Sequence, residues 1–301
     1  YDKLVIEKLD LPKPGPHEVI VKNEALGVNY ADCLVRWGVY SSAKEYVGWP
    51  ITPGFEFAGT ITETGSKVTR FKTGDRVFGI TRFGAYSTHL AVPEHQLYAI
   101  PKTMTTVQAA GFPAVFMTAY HALFQHFILR PGMKVLVHSA AGGCGTALLQ
   151  MAKIAQCQTV GVVGSTHKIE VAKKFGADHV IDKSKENLWK RAEEISPEGY
   201  DVILDANGYT TLKDSYNHLA TCGKLLVYGS HALLPKEGGR INYLALAWNY
   251  LKTPRFNPLT MVEKNRSIIT FNVSFLFEKT DLINEGMTQM LKWLEEDRLS
   301  Q

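Results

Sequence analysis

Short apolar runs recur through the second half of the chain, and the stretches between them have helix-like composition. This strand–helix alternation predicts an α/β fold with a doubly wound parallel sheet. The segment 230–266, before the last run, is too long for a structureless loop, so we expect a helix over 241–251. An amphipathic pattern predicts a final helix over 281–298. The six predicted strands lie at 135–137, 160–163, 179–181, 202–204, 225–228 and 268–273.

The first third of the chain carries a strand pattern without intervening helices. Its apolar and polar residues alternate in part, and turn-forming Pro and Gly residues separate the runs. This texture predicts a compact, mostly antiparallel sheet. From Thr106 to Gln125 the charge is low and the spacing becomes helical, which marks a change of domain. The predicted strands of this part lie at 18–28, 55–62, 76–80 and 86–92.

A glycine-rich turn follows the first strand of the second half. Residues 134–145 read KVLVHSAAGGCG, and 146–155 have helical composition without a breaker. In the G-x-G-x-x-G register Ala140, Gly142 and Gly145 occupy the three glycine positions. Such a turn lets the backbone approach a pyrophosphate at the N-terminus of a helix, so it predicts a dinucleotide site. The turn residues expected at the cofactor are Ala140, Gly142, Gly143, Cys144 and Gly145.

The end of the next strand indicates which dinucleotide is bound. NAD-binding units usually place an acid there for the ribose 2′-hydroxyl, whereas this chain reads Gly-Ser-Thr-His-Lys over 164–168. An uncharged turn with lysines in reach suits a 2′-phosphate and favours NADP(H). The alternative is that Lys168 and Lys183 are ordinary solvated side chains, which is how we interpret Lys185. The residues expected at the phosphate are Gly164, Ser165, Lys168 and Lys183.

Composition is that of an ordinary folded protein, with 45% hydrophobic residues, 21% charged residues and a net charge of +4. No basic run is interleaved with aromatic residues, so nucleic acid is not an expected partner. The sequence has no apolar stretch of about 18 residues and no signal-peptide pattern. Its four cysteines form no C-x-x-C pair, so we expect a cytoplasmic protein. Cys144 is either a space-filling residue or a thiol that a bound cofactor would shield from alkylation.

Three further motifs combine with the glycine turn. They are GVNYAD at 27–32, PGFEFAG at 53–59 and GDRV at 74–77. Together the motifs resemble the medium-chain dehydrogenase/reductase superfamily over nearly the whole chain, and most closely its zinc-independent quinone oxidoreductases. The aromatic-rich segment 245–277 is most similar to the vesicle amine transport protein-1-like branch. The resemblance implies a GroES-like, mostly antiparallel catalytic domain over 1–112, to which 274–301 return, and a Rossmann NADP(H)-binding domain over 113–273.

The motifs lack the ligands of the zinc-dependent members. Those members have a Cys ligand where this chain has Asn29, and a His ligand where it has Phe55. A phenylalanine cannot coordinate a metal, and Glu56 alone cannot hold Zn²⁺. His121 and His126 are five residues apart, which in an α-helix turns their side chains about 140° away from each other and suits shared ligation poorly. We therefore expect no metal site.

The resemblance also implies roles for individual residues. Asn29 would lie by the nicotinamide and donate a hydrogen bond to a developing oxyanion, unless it only stabilises a turn. Tyr40 would line the substrate pocket and donate a proton or hydrogen bond, unless it is an ordinary half-buried aromatic residue. Thr118 would meet the nicotinamide ribose or carboxamide, or else bond to backbone carbonyls. The remaining residues expected near the cofactor, at the ends of the fifth and sixth strands, are Tyr228, Gly229, Ser230, Phe271 and Val273.

Without zinc, the chemistry shifts to acceptors that need little electrophilic help. The expected activity is NADPH-dependent reduction of quinones or other activated α,β-unsaturated carbonyls by hydride transfer. One alternative is an enoyl-thioester reductase, and another is a non-catalytic NADP(H)-binding protein associated with membranes or partners. In this family the sixth strand commonly pairs with its twofold mate, so we expect a homodimer. Family members normally continue beyond the position of Gln301, so we expect part of the pocket to lie outside this sequence.

Overall fold

The chain forms two compact units in the computed structural model, which describes residues 4–233 and 241–301. The first unit comprises residues 1–117 and 273–301, and the second comprises residues 118–272. Each unit has its own sheet and its own buried core. The division at residues 117 and 118 falls inside a helix, Pro113–Tyr120, whose first residue is the predicted start of the second domain.

The first unit contains a five-stranded antiparallel sheet in the order β4-β1-β2-β3-β5. All four predicted strands are present, although the fourth begins at His89 rather than at 86. The short fifth strand was not predicted. Apolar side chains such as Val19, Phe57 and Val77 form the core of this sheet and are fully buried. The strands are β1 Glu18–Leu26, β2 Glu56–Thr64, β3 Arg76–Ile80, β4 His89–Pro93 and β5 Leu97–Ala99.

Short helices connect these strands, and the helical stretch predicted over 106–125 is broken into three pieces. Pro113 has no N–H and restricts the residue before it, so a helix cannot run through this position. One helix therefore ends at Ala110 and the next begins at Pro113. A single π-helical turn, His121–Gln125, follows. The helices of this part are α1 Tyr30–Arg36, α2 Ser41–Tyr46, α3 Thr106–Ala110 and α4 Pro113–Tyr120.

The second unit contains a six-stranded sheet that is parallel throughout, in the order β11-β10-β9-β6-β7-β8. This is the predicted doubly wound sheet, and its strands are apolar runs because helices cover both faces. The last strand is shorter than predicted and ends at Thr270. The strands are β6 Lys134–Val137, β7 Gln158–Val163, β8 His179–Asp182, β9 Tyr200–Asp205, β10 Leu219–Val227 and β11 Ser267–Thr270.

Helices follow the strands of this sheet, as the alternation predicted. The strand order reverses between β6 and β9, and folds of this type bind ligands beyond the carboxyl ends of the strands at such a point. The long segment before β11 contains the helix expected over 241–251 and a second helix that was not predicted. The helices are α5 Gly143–Ile154, α6 Ile169–Lys174, α7 Leu188–Ile195, α8 Leu212–Asn217, α9 Tyr243–Leu251 and α10 Pro258–Lys264.

The end of the chain belongs to the first unit. A 3₁₀ helix, Val273–Glu278, precedes α11, Thr280–Glu295, which was predicted over 281–298. The Tyr98 hydroxyl of β5 donates a 2.6 Å hydrogen bond to Asn284 Oδ1 of this helix. The buried side chains of α11 recur at helical spacing, at Ile283, Met287, Met290 and Leu294. In the described parts of the chain, no helix combines the length and the apolar character needed to cross a membrane.

Candidate functional site

The glycine turn between β6 and α5 has a left-handed residue at Ser139, whose φ is 54°. The Ala140 N–H then donates to the Val162 carbonyl oxygen of β7 at 3.0 Å, and the Gly142 N–H donates to the Ser139 carbonyl oxygen at 2.9 Å. Ala140 is fully buried, and its methyl group fills the space beside Gly161. Alanine therefore fits the first glycine position because the neighbouring serine makes the left-handed turn.

Gly145 is the position where a glycine is required. A Cβ atom there would overlap the Ser139 carbonyl oxygen and lie 2.8 Å from the Ala140 backbone. This close approach lets α5 begin at Gly143, with Gly142 as its N-cap, earlier than the predicted start at 146. The first N–H groups of a helix have no intrahelical acceptor and attract an anion. The turn thus has the shape and the donors that a pyrophosphate needs.

The carboxyl end of β7 lies beside that of β8. A Cβ atom on Gly164 would lie 3.8 Å from Cε of Lys183, so the lysine side chain passes next to this glycine. Ser165 is half-buried, and Lys168 is exposed at the end of a 3₁₀ turn, Thr166–Lys168. The structure therefore brings Gly164 and Lys183 together and places Lys168 in the turn that follows.

An acid does occur beside these two turns, at the end of β8. Asp182 Oδ2 accepts a 2.7 Å hydrogen bond from the Thr166 hydroxyl, and Oδ1 accepts bonds from the Ser184 hydroxyl and N–H. These hydrogen bonds lower the pKa of Asp182, the Ser184 hydroxyl having the largest effect. The carboxylate therefore holds the two turns together, and both of its oxygens already accept a hydrogen bond.

The ends of β9 and β10 are packed against each other. The Tyr228 N–H donates to the Asp205 carbonyl oxygen at 3.1 Å, and a Cβ atom on Gly229 would lie 2.8 Å from the Ala206 carbonyl oxygen. The Tyr228 ring lies 6.2 Å from that of Phe271, and burial raises the pKa of its hydroxyl. The residues directly after β10 are the predicted Tyr228, Gly229 and Ser230.

The histidine pair of the π-helical turn corrects one expectation. The rings of His121 and His126 are 4.2 Å apart, centroid to centroid, and both lie about 5 Å from the ring of Phe271. The separation expected for an α-helix was wrong because a π-helix pairs residue i with i+5. Burial lowers the pKa of both histidines. Thr118 is half-buried one turn earlier, on α4.

Phe271 and Val273 were expected to end the sixth strand, and this was wrong. The strand stops at Thr270, and Phe271 follows it with its N–H bonded to the Val227 carbonyl oxygen at 3.3 Å. Val273 is the first residue of a 3₁₀ helix in the first unit. Of these two residues, only Phe271 therefore belongs to the second unit. The apolar run 268–273 concealed this change, because periodicity cannot separate the end of a buried strand from a following helical turn.

A buried polar cluster in this unit was not found from the sequence. The fully buried His138 Nε2 lies 3.1 Å from the Ser215 hydroxyl, which donates to Asp205 Oδ2 at 3.0 Å. Asp205 Oδ1 accepts the N–H groups of Asn207 and Gly208. Burial lowers the pKa of His138, while the nearby Asp205 carboxylate acts in the opposite direction. The cluster ties the residue before the glycine turn to the loop after β9.

In the first unit, Asn29 is held by a buried acid. Asn29 lies just before α1, and its Nδ2 donates a 2.7 Å hydrogen bond to Glu56 Oε1. The other carboxylate oxygen, Oε2, accepts the Ala114 N–H at 2.7 Å. Glu56 is only 1% exposed, and this burial raises the pKa of its carboxyl to about 7. The side chain of Asn29 is thus fixed by a residue that the sequence identified only as a remnant of the zinc motif.

Asp32 ties the same segment to its surroundings. Its Oδ2 accepts the Asn29 N–H at 2.8 Å and the Tyr86 hydroxyl at 3.0 Å, while its Oδ1 accepts the Gly54 N–H at 3.0 Å. Burial raises the pKa of Asp32 despite these bonds. Asn29 is therefore held through its backbone by one acid and through its amide by another.

Tyr40 lies in an aromatic cluster with Phe55 and Phe83. Its ring meets that of Phe55 edge-on at 5.7 Å and that of Phe83 at 6.5 Å, and the residue is 9% exposed. Phe55, at the former histidine-ligand position, is therefore a packing residue. With both oxygens of Glu56 bonded to N–H groups, the residues here do not fit a zinc ion. Within 4–233 and 241–301 no three His, Cys, Asp or Glu residues are grouped as metal ligands.

Comparison with known proteins agrees with this architecture. The zinc-binding dehydrogenase family matches residues 143–296, and the alcohol dehydrogenase GroES-like domain matches residues 15–102. The synaptic vesicle membrane protein VAT-1 homolog of Rattus norvegicus is 34% identical over 293 residues, covering 97% of this chain and 71% of that protein. A quinone oxidoreductase of Pseudomonas aeruginosa is 37% identical over 220 residues, covering 72% of this chain and 66% of that protein.

Among solved structures, the crystal structure of a quinone oxidoreductase from Pseudomonas syringae pv. Tomato DC3000 superposes with a TM-score of 0.81. The two sequences are 29% identical, and the match covers 98% of this chain and 85% of that one. The antiparallel GroES-like unit and the Rossmann unit are therefore both those of a known fold. The chain belongs to the medium-chain dehydrogenase/reductase superfamily, in the branch of quinone oxidoreductases and VAT-1 homologs.

Proposed function

We propose that this protein is an NADPH-dependent reductase of quinones or other activated α,β-unsaturated carbonyls. The observation that carries the proposal is the turn from β6 to α5. Its backbone leaves no room for a Cβ atom at Gly145, and its helix N-terminus offers N–H donors to a pyrophosphate. The quinone oxidoreductase relatives support the same class of reaction.

The residues of the second unit fit NADP(H). Gly142, Gly143, Cys144 and Gly145 would hold the pyrophosphate, with Ala140 packed beneath the turn. The bound nicotinamide would supply the hydride, so the protein has only to bind, orient and exclude water. The other residues proposed to contact the cofactor are Asn29, Thr118, Gly164, Ser165, Lys168, Lys183, Tyr228, Gly229, Ser230 and Phe271.

The preference for the 2′-phosphate rests on charge. Lys183 runs beside Gly164, Lys168 is exposed in the next turn, and Asp182 already accepts hydrogen bonds from Thr166 and Ser184. Glu186, in the turn after β8, accepts the Asp182 N–H. A ribose 2′-hydroxyl would have to compete with these donors for a carboxylate, whereas a phosphate would have two ammonium groups within its electrostatic range.

The acceptor class follows from the first unit. Asn29 and Phe55 stand where a zinc enzyme has ligands, and neither side chain there supplies a Lewis acid. Asn29 uses one N–H of its amide on Glu56, and its second N–H can donate to a carbonyl oxygen that gains negative charge. Tyr40 is a second proposed catalytic residue. Quinones suit such a site because their reduction to an aromatic product needs little further polarisation.

Turnover assays test the proposal directly. NADPH oxidation should be rapid with 1,4-benzoquinone and at least about 10-fold slower with NADH, the factor expected from one lost charge-assisted contact. A crotonyl thioester should be a poor acceptor, whereas an enoyl-thioester reductase would prefer it to the quinone. Equal rates with NADH and NADPH would contradict the phosphate assignment.

Lys168→Glu is the variant that tests the phosphate site. A carboxylate beside the 2′-phosphate should raise KM for NADPH about 10-fold or more and change KM for NADH little, because only one cofactor carries the repelled charge. Lys190→Glu is the matched control, since Lys190 is an exposed lysine on α7. An equal rise in KM for NADPH and NADH would mean that Lys168 supports the fold and does not contact the phosphate.

A second candidate function has its own observation. On α9 the large apolar side chains Tyr243, Leu244, Trp248 and Tyr250 are all exposed. Such a face suits association with a membrane or partner protein, and the rat relative is named as a synaptic vesicle membrane protein. Tight NADPH binding without turnover across a panel of quinones and enones would favour this function over the reductase.

The proposed assembly is a homodimer. Strand β11 is an outer strand of its sheet, with Ile268 and Ile269 only half-buried. Pairing of this strand with that of a second copy would continue the sheet across a twofold axis. Light scattering at several protein concentrations should give twice the mass of the chain, and a monomer mass would contradict this assembly.

A further inference from the structure

We propose that Glu56 is a positioning residue that fixes which end of the Asn29 side-chain amide faces the substrate. The proposal rests on the reductase function, because it assigns Asn29 to the reacting carbonyl. Glu56 would act only through Asn29. It would not touch substrate or cofactor, and its role would be to keep an N–H donor of Asn29 directed outward.

The orientation follows from the donors around the carboxylate. Glu56 Oε2 accepts the Ala114 N–H at 2.7 Å, and this backbone group can only donate. The other oxygen, Oε1, then faces Asn29 at 2.7 Å. An amide oxygen placed there would repel an ionised carboxylate oxygen, so when Glu56 is charged Nδ2 faces it and the second N–H of the amide remains for another acceptor.

The carboxylate is also unable to move aside. Gly27 passes so close that a Cβ atom there would overlap the Glu56 carboxylate, and the Gly27 N–H donates to the Glu56 carbonyl oxygen at 3.1 Å. Glu56 is almost completely buried, and the described residues give it no salt-bridge partner. Burying an unpaired carboxylate is costly, as its raised pKa shows. A structural cap on Ala114 alone would not require a charge.

Glu56→Gln should reverse the orientation of the Asn29 side-chain amide, and it keeps the side-chain volume at position 56. The Ala114 N–H still needs an oxygen, so the new NH₂ group must point at Asn29. Asn29 then has to present its oxygen to position 56, and the donor that would meet the substrate carbonyl is replaced or displaced. Removing one such donor typically lowers kcat on the order of 100-fold.

A double-mutant cycle separates positioning from a structural role. With NADPH and 1,4-benzoquinone, Glu56→Gln and Asn29→Ala should each lower kcat on the order of 100-fold, with KM for NADPH changed much less. In the Asn29→Ala background, Glu56→Gln should lower kcat no further, because the side chain that Glu56 positions is absent. An equal loss of kcat in both backgrounds would overturn the proposal.

Glu94→Gln is the matched control. Glu94, like Glu56, accepts two N–H groups in this unit, here the backbone groups of Thr69 and Arg70, but it lies on the surface and does not bond to Asn29. This variant should keep the wild-type kcat. Thermal unfolding of all variants should show cooperative transitions, so that a lost kcat is not a lost fold.

A measurement without turnover keeps this inference separate from the proposed function. In protein labelled with ¹⁵N-asparagine, the side-chain NH₂ signals of Asn29 are identified by their absence in Asn29→Ala. One of the two protons should be shifted downfield by the carboxylate, and Glu56→Gln should remove that shift. Unchanged Asn29 signals in Glu56→Gln would overturn the positioning role, whereas absent quinone turnover with the expected signals would refute only the reductase.

Discussion

Gly145 is the residue of the dinucleotide turn with the least room for change. A methyl group there would overlap the Ser139 carbonyl oxygen, whereas a methyl group on Gly164 would meet nothing closer than Lys183 at 3.8 Å. We expect Gly145→Ala to lower the free energy of unfolding by about 1–3 kcal/mol, the usual cost of overpacking. It should also weaken NADPH binding, because α5 must move away from the turn.

Gly164→Ala is the comparison for that variant. Gly164 has no left-handed φ and is exposed, so alanine fits the folded chain without strain. Urea unfolding should show a stability close to that of the wild type, and calorimetric titration with NADPH should show whether the added methyl group meets the cofactor. If Gly145→Ala keeps both its stability and its affinity, the close approach of helix and turn has no functional role.

The glycine turn and the surroundings of Asn29 differ in how far they could be predicted from the sequence. The glycine turn is a local pattern, and the need for glycine at position 145 is created by Ser139 and Ala140, which are close by in the chain. The bond between Asn29 and Glu56 joins residues 27 apart, and the Ala114 N–H that completes it is 58 residues from Glu56. No spacing rule encodes such a contact, so Glu56 was recognised as a leftover of the zinc motif and not as a partner.

The burial of Glu56 predicts a pH dependence of stability. Its pKa is about 7 in the folded chain, against an ordinary value of 4.5. Because the folded-state pKa is the higher one, the stabilising contribution is complete below about pH 4.5 and is lost as the pH rises through about 7. Relative to Glu56→Gln, the wild type should therefore lose about 3 kcal/mol of unfolding free energy across this range.

Urea unfolding of the two proteins at acid and at mildly alkaline pH measures this loss. Asp32, the other buried acid nearby, is present in both proteins, and its charge contributes to the raised pKa of Glu56, so the difference measures Glu56 together with this interaction. A difference that stays constant with pH would show that Glu56 titrates as an exposed carboxyl, which would also weaken the argument for a fixed Asn29.

At the scale of elements, the pattern of apolar residues was a reliable guide. It predicted the six parallel strands as short apolar runs and the last helix from apolar positions that recur at helical spacing. It did not predict β5, which has only three residues, or the π-helical turn at His121–Gln125. A π turn has no signature in hydropathy, and it alone brings His121 and His126 together.

The apolar stripe of α11 yields a prediction for this element. Met290 is fully buried in the stripe, so Met290→Ala should lower the free energy of unfolding by about 2–5 kcal/mol through lost burial and a cavity. Glu295→Ala, at an exposed position of the same helix, should change it by less than about 0.5 kcal/mol. Similar effects of the two variants in urea unfolding would mean that the helix does not contribute to the core of its unit.

At the scale of the whole molecule, the change from a strand pattern to helical spacing near residue 106 was enough to predict two domains. It could not locate their boundary within a residue or two, because α4 continues through residues 117 and 118 without an interruption in its helical pattern. The placement of Val273 at the end of the sixth strand was wrong for a related reason. An apolar side chain is buried in either unit, and only the course of the backbone shows to which unit it belongs.

The cysteines provide a test of cofactor binding in the intact chain. Cys144 is half-buried in the glycine turn, whereas Cys222 is exposed within β10, at a left-handed residue where its pairing with β9 is irregular. Cys157 is buried, and burial raises the pKa of its thiol to about 11, so it should react slowly in every condition. If the turn holds the pyrophosphate, NADPH should slow alkylation of Cys144 by iodoacetamide and leave Cys222 unaffected.

Mass spectrometry of the alkylated peptides gives both rates from one sample, so Cys222 corrects for any change in reagent or pH. At a cofactor concentration of about 100 times Kd, only about 1% of the protein is free, and alkylation of Cys144 should slow by up to about 100-fold. NADH at the same concentration should protect less, because it lacks the phosphate that Lys168 and Lys183 would bind. Equal slowing of Cys144 and Cys222 would point to a general tightening of the fold, and an unprotected Cys144 would remove the cofactor from this turn.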